Sequence, residues 1–333
     1  VANQEEPTFE NTIEAMEYAG ETLNRVASVF YNLMEANTND EMQQIAEQIS
    51  PMLNEYSMYV SLNADLFAKV KSVYEKKDEL GLEKDQLKLL EDNYKSFVRG
   101  GANLSDEDKE LYSKWSEELS LASLQFSKNV LAATNAYTLH ITDSADLAGL
   151  PEFVKTMAAE TASEKGLEGW AFTLDAPSYS PFLKYSEVRN LRKDMWTAYN
   201  TRAIGGEFDN TDVVKKIVDL RIRIANILGY ETYADYALEE RMAKDKATVN
   251  GFIKDLLEPS MEFAKKDVAD VYAFAKKNGF EDSQLMPWDF SYWSEKYQQA
   301  EYSLSAEELK PYFQLESCID AVFGLATRLY GIS

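Results

Sequence analysis

The sequence contains one histidine and one cysteine, and each shortage removes a class of chemistry. A catalytic zinc commonly takes three protein ligands, histidines prominent among them. The helical His-Glu-x-x-His arrangement needs two histidines, and His140 is alone. A di-iron helical bundle needs a Glu-x-x-His pair on each of two helices, but the residue three before His140 is Tyr137. A Ser-His nucleophile would have to use the same histidine, and no Gly-x-Ser-x-Gly turn accompanies it. His140 lies between Leu139 and Ile141 and reads as a hydrogen-bonded structural residue. Cys318 permits no internal disulfide, so it leaves the redox compartment open, with a reducing one the better fit. Its neighbours Ile319, Val322 and Phe323 predict a buried thiol.

Other absences narrow the field further. Neither Gly-x-Gly-x-x-Gly nor Gly-x-x-x-x-Gly-Lys occurs, so no phosphate-cradling loop is legible. No apolar run is long enough to span a bilayer. Basic residues are outnumbered, 34 against 57, for a net charge of −23. Phosphate backbones are held by clustered Lys and Arg, so nucleic acid is disfavoured as a partner, and so is an anionic membrane surface. With this many acids, adjacent carboxylates such as Glu117-Glu118 and Glu239-Glu240 read as solvated faces. The opening VANQEEPTFENTI has no basic stretch leading into an apolar one and does not read as a signal peptide. Its lack of an initiating Met suggests a trimmed start.

What is present is helix-forming pattern in quantity. Hydrophobic residues make up 45% of 333, enough for two domains or one large helical body. Phe9, Ile13, Met16, Leu23, Val26, Phe30 and Leu33 fall on one helical face behind a Thr8 N-cap. Further helices are predicted from Asn39, where Pro51 should kink or restart the run, from Asn63 to near Gly81, and up to Gly100-Gly101. Ser105 with Asp108 opens a helix of about thirty residues, striped by Leu111, Trp115, Leu119, Ala122, Phe126, Val130, Ala133 and Tyr137. Residues 138–186 break the rhythm: alternation at GWAFTLDAPSYSPFLKYS, with Pro177 and Pro181, predicts a small β element or loop. Helices resume near Glu187 and continue to a last one from Ser305 to Leu329, with Gly331 placed as its cap. The expected organisation is thus a helical domain over 1–137, a mixed β and loop connection over 138–186, and a second helical region over 187–333, in an all-α class. PWDFSYWSEKY, residues 287–297, departs from an ordinary amphipathic helix by crowding Trp288, Phe290, Tyr292, Trp293 and Tyr297 around Asp289.

Several segments in colinear order resemble the thimet oligopeptidase-like zinc metallopeptidases, most closely their bacterial peptidyl-dipeptidases (dipeptidyl carboxypeptidases). They are the opening PTFENTIEAMEYAGETLNRVASVFYNLMEANTND, LGLEKDQLKLLEDNYKSFVRGGANLS, FSKNVLAATNAYTLHITDSADLAGLPE, ILGYETYADYALEERMAK, and the whole of 287–333. The resemblance implies a helical ellipsoid split by a deep channel, with this chain as the N-terminal, non-catalytic half that forms one wall. It implies hydrolysis of short peptides at a zinc ion, most specifically release of C-terminal dipeptides. It also implies that the His-Glu-x-x-His helix and a further Glu ligand lie downstream of Ser333, so that this piece alone is inactive and binds no metal. Its expected partners are short peptides and the missing catalytic half. The expected compartment is the cytoplasm, with export left open. Trp288, Asp289, Tyr292 and Trp293 become candidates for the channel wall, against the alternative that the aromatics pack between helices. A related endopeptidase, or a stand-alone helical peptide-binding protein, are the other readings.

Overall fold

Thr8 opens the ordered helical chain as the sequence predicts. Its Oγ1 accepts the Asn11 N–H at 3.2 Å, and Asn11 Oδ1 accepts the Thr8 N–H at 2.9 Å. This reciprocal pair satisfies two donors that a helix start leaves unpaired. A computed structural model describes residues 5–303 and 309–332. The first turns, Phe9–Glu14, are wound as a π-helix and run into α1 (Ala15–Tyr18). The single helix expected from Phe9 to Leu33 is interrupted there. Gly20 takes a left-handed φ of 85°, which a side chain would resist, and α2 (Glu21–Asn37) starts afresh. As a result Leu23, Val26 and Leu33 are exposed rather than continuing the buried stripe.

The chain divides by contacts into two units. Unit 1 comprises 1–133 and 203–253. Asn39 and Asn63 cap α3 (Asp40–Ser61) and α4 (Ala64–Glu75) through their side-chain oxygens at 2.9 and 2.8 Å. Pro51 does not restart α3, which is continuous. The core of unit 1 joins the first turn to α4 and α5 (Lys84–Arg99): Phe9 and Ile13 meet Phe67, Val70, Val73, Leu90 and Phe97. Gly101, at φ 89°, ends α5 as the sequence predicts. The long helix is α6 (Asp106–Ala136), 31 residues, opened by Ser105 and Asp108 at 2.8 Å. Its expected stripe is only partly covered. Tyr112 and Ala122 are buried, whereas Leu111 and Phe126 are exposed.

Unit 2 comprises 134–202 and 254–333. The predicted β element is an antiparallel pair, β1 (Leu139–Ile141) and β2 (Trp170–Phe172), registered Leu139 to Phe172 and Ile141 to Trp170. Alternation turns Ile141 inward and His140 outward, where the ring Nε2 pairs with the Glu168 carbonyl at 2.6 Å. The same span also holds two helices that alternation concealed: α7 (Glu152–Glu164), and α8 (Ala176–Tyr185), which contains both prolines. Pro177 stands in the first turn, where no helical N–H is required of it. Gly149 lets the chain pass close behind α8. It sits at φ 82°, and a Cβ there would collide with the Tyr185 carbonyl oxygen. Phe182, Phe172, Val154, Leu174 and Met195 form the core between these elements and α9 (Arg189–Asn200).

Unit 1 also contains α10 (Thr211–Ile227) and α11 (Tyr233–Leu238). Next come α12 (Lys246–Lys277) and α13 (Pro287–Tyr302). Part of the expected helix from Ser305, residues 305–308, lies outside the described residues. Beyond it a 3-10 turn, Lys310–Tyr312, precedes α14 (Leu315–Tyr330). Gly331 caps α14 at φ 67°. Cys318 is exposed, contrary to expectation: α14 is apolar enough to be buried, but in this chain no buried residue lies along it.

Candidate functional site

The aromatic stretch becomes α13, and its second helical residues decide its packing. Pro287 takes the first position and Asp289 the third, where its Oδ2 accepts the Met286 N–H at 3.1 Å. A carboxylate in a first turn also meets the positive end of the helix dipole. Asp289 is nevertheless fully buried, so it requires cations, and α9 supplies two.

Arg189 and Arg192 lie three apart, hence on one face of α9. Arg189 grips the carboxylate with both edges of its fork, Nε to Oδ1 at 2.8 Å and Nη2 to Oδ2 at 2.7 Å. Its Nη1 reaches Asp282 at 2.5 Å. Arg192, itself buried, donates from Nη2 to Asp289 at 3.2 Å, from Nε to the Trp288 carbonyl at 3.0 Å and from Nη1 to the Ser186 carbonyl at 2.7 Å. Its guanidinium lies 4.1 Å from the Tyr292 ring centroid. Burial by itself would push the Asp289 carboxyl up. The Arg189 fork and the Met286 N–H outweigh it and hold the group below its usual range. Burial lowers the Arg192 guanidinium from its usual value, and the carboxylate partly restores it.

The four residues singled out in sequence therefore occupy one end of α13. Asp289, Tyr292 and Trp293 are buried, and Trp288 is half-buried, edge-on to Trp196 at 5.6 Å. Trp293 packs with Phe274 and Phe280 in a small core with Val271 and Ala275. Phe290 is exposed. Arg189 and Arg192 were not legible as part of this cluster, since about a hundred residues separate them from Asp289. The arrangement is a strut: every charge is paired, and it fixes the aromatic segment rigidly without presenting a free acid, base or nucleophile.

A second cluster lies in unit 1. Arg99, at the end of α5, is paired with Glu239, donates to the Tyr236 carbonyl at 2.8 Å and stacks 4.4 Å from the Tyr236 ring. The Tyr230 hydroxyl donates to Glu239 at 2.5 Å. Burial together with this acceptor pushes the Tyr230 phenol up to about 12. Hydrogen bonding from Tyr230, then the charge of Arg99, holds Glu239 below its usual value despite burial. Glu239 and Glu240 are solvent-exposed, at 43% and 45% of their side chains, and also serve as the counter-charges of Arg99 and Lys95. A cleft of about 460 Å³ adjoins them, and its lysines at 88 and 95 are each paired with an acid. Replacing Arg99 by lysine keeps the charge and loses the planar fork. An expected cost of about 1–2 kcal/mol is measurable as a lowered urea midpoint, and an unchanged midpoint would show that the fork contributes nothing.

Among the described residues no three His, Cys, Asp or Glu side chains gather where they could hold a metal ion. No zinc position is therefore assigned on them. Nor is any described helix long and apolar enough to cross a membrane.

Residues 182–333 match the family described as Peptidase family M3. The chain resembles the N-terminal portion of the thimet oligopeptidase-like peptidases. Oligopeptidase A of Escherichia coli (strain K12) is 34% identical over 98% of this chain and 48% of its own length. Dipeptidyl carboxypeptidase of the same organism is 33% identical over 99% of this chain and 49% of its own length. Saccharolysin of Saccharomyces cerevisiae is 25% identical over 98% and 46%. The chain spans about half the length of the curated relatives it matches. Both α9 and α13, which carry the Arg189, Arg192 and Asp289 strut, lie within the residues matched to family M3.

Proposed function

We propose that this chain is the non-catalytic N-terminal part of a zinc metallopeptidase that hydrolyses short peptides and most specifically releases C-terminal dipeptides. One observation carries the reading: similarity over 98–99% of the chain to about half of an oligopeptidase and about half of a dipeptidyl carboxypeptidase. In this reading the chain supplies one wall of a substrate channel, and the zinc ligands lie in the part that corresponds to the relatives' remaining length. The zinc, bound there, would polarise the scissile carbonyl and activate water. Trp288, Asp289, Tyr292 and Trp293 then belong to that wall. Trp288, the half-buried member, is the one able to touch a peptide, and the Asp289 strut holds its helix in place. A cytoplasmic location accompanies the reading.

An endopeptidase is the second reading, because identities of 34% and 33% favour neither relative. The test uses the complete native gene product on matched short peptides with free or amidated C-termini, with and without a zinc chelator. Chelation is expected to abolish cleavage, and amidation to abolish dipeptide release. Cleavage indifferent to amidation would replace the dipeptidase by the endopeptidase. No peptidase activity, in a product near 37.9 kDa, would overturn both.

A further inference from the structure

An apolar helix with no cover stands out in unit 2. Along α14, Leu315, Ile319, Val322, Phe323, Leu325 and Leu329 are between 44% and 69% exposed. At 3.6 residues per turn these positions share one broad face of the helix, with Glu316, Asp320 and Arg328 on the other, and Ala326 alone is even half-buried. Glu316, Asp320 and Arg328 are the only charged side chains in its sixteen residues, in a chain whose net charge is −23. A helix with a broad apolar face turns that face toward an interior. An exposed contiguous patch of this kind marks a surface that something covers.

We propose that α14 is a seam at which this chain is covered by the rest of a longer polypeptide, the part corresponding to the half of the peptidase relatives that the chain does not match. The proposal rests on the peptidase reading above and adds to it the surface by which the two parts join. Two observations single out this occupant. The relatives run to about twice the length of the matched region. The match to family M3 includes α14 to its end. The covering part must therefore present apolar surface to this one face of α14. It covers Phe323 and Val322 together with Ile319, and leaves Glu316, Asp320 and Arg328 on the remaining face.

Cys318 lies within this surface and is exposed here, so it reports the cover directly. The experiment measures alkylation of Cys318 by N-ethylmaleimide in the complete native gene product, by mass spectrometry of the peptide that contains it. The comparison is with the same product unfolded in urea. Enclosure is expected to slow the reaction by about a hundredfold or more, since the thiol reacts only when the packed helices open. A native rate within about threefold of the unfolded one, in a product that cleaves peptides, would overturn the seam and leave the peptidase reading standing. Protection that disappears on dilution would assign the cover to a second copy and also overturn it. A gene product no longer than this chain would overturn the seam and the peptidase reading together.

Discussion

Replacing Asp289 by alanine is expected to destabilise the protein by about 3–5 kcal/mol, the cost of leaving a buried ion without its partner. The carboxylate is fully buried, and Arg192, only 2% exposed, would be left facing an apolar gap. The share due to Arg189 is smaller, because 39% of its side chain is exposed and water can take over from the carboxylate. Urea unfolding followed by tryptophan fluorescence checks the size, and a loss below about 1 kcal/mol would refute the strut. The double replacement Asp289→Leu with Arg192→Met is expected to recover much of the loss, since removing both charges leaves neither one orphaned. Recovery distinguishes an electrostatic pin from generic damage to the α13 helix.

The same pair sets an acid limit. The folded-state pKa of Asp289 is lowered, so the unfolded chain binds the proton more readily. Its contribution is therefore complete above the ordinary carboxylate pKa of about 4 and is lost as pH falls through the lower folded value. In the alanine variant this part of the acid sensitivity should vanish, and a wild-type and variant pair with parallel stability curves below pH about 4 would contradict the assignment.

Replacing Phe182 by alanine is the other large effect, an expected loss of about 3–5 kcal/mol. Its ring is completely buried and meets Phe172 of β2 edge-on, at 4.7 Å and 64°. Truncation leaves a cavity bounded by α7, α8 and the strand pair, elements tied to one another through Gly149 and the Glu187 N–H, which donates to the Ala148 carbonyl at 2.9 Å. Such a site cannot collapse freely, which places the cost at the upper end of its class. Phe182→Leu keeps most of the volume and should cost less than half as much. Thermal unfolding of the two variants checks the order, and equal effects would mean that the ring geometry, not the volume, is what the core requires.

Helix existence was legible wherever local chemistry decided it. Thr8, Asn39, Asn63 and the Ser105–Asp108 pair all cap the helices assigned to them, because each cap closes over only three residues. The prolines misled for the same local reason. Pro177 and Pro181 read as a loop, yet Asp175 begins a helix in which Pro177 needs no N–H. Gly20 worked the other way, breaking a stripe that spacing alone carried across it. Cys318 illustrates a further limit: apolar neighbours signal that a helix is made to be buried, not that the residues in hand bury it.

The sequence by itself determined the helical class, the position of the strand pair, the absence of a histidine set for zinc, and the aromatic concentration near Asp289. It determined them because periodicity, capping and composition act within a few residues. Only the tertiary structure decided what Asp289 does. A buried carboxylate is defined by the cations that reach it, and Arg189 and Arg192 come from a helix about a hundred residues away. The same holds for Glu239, whose partner Arg99 lies 140 residues earlier. Charge pairing across such separations leaves no periodic trace in a chain with 57 acids; it exists only once the fold has brought the end of α5 to Glu239, and α9 to α13.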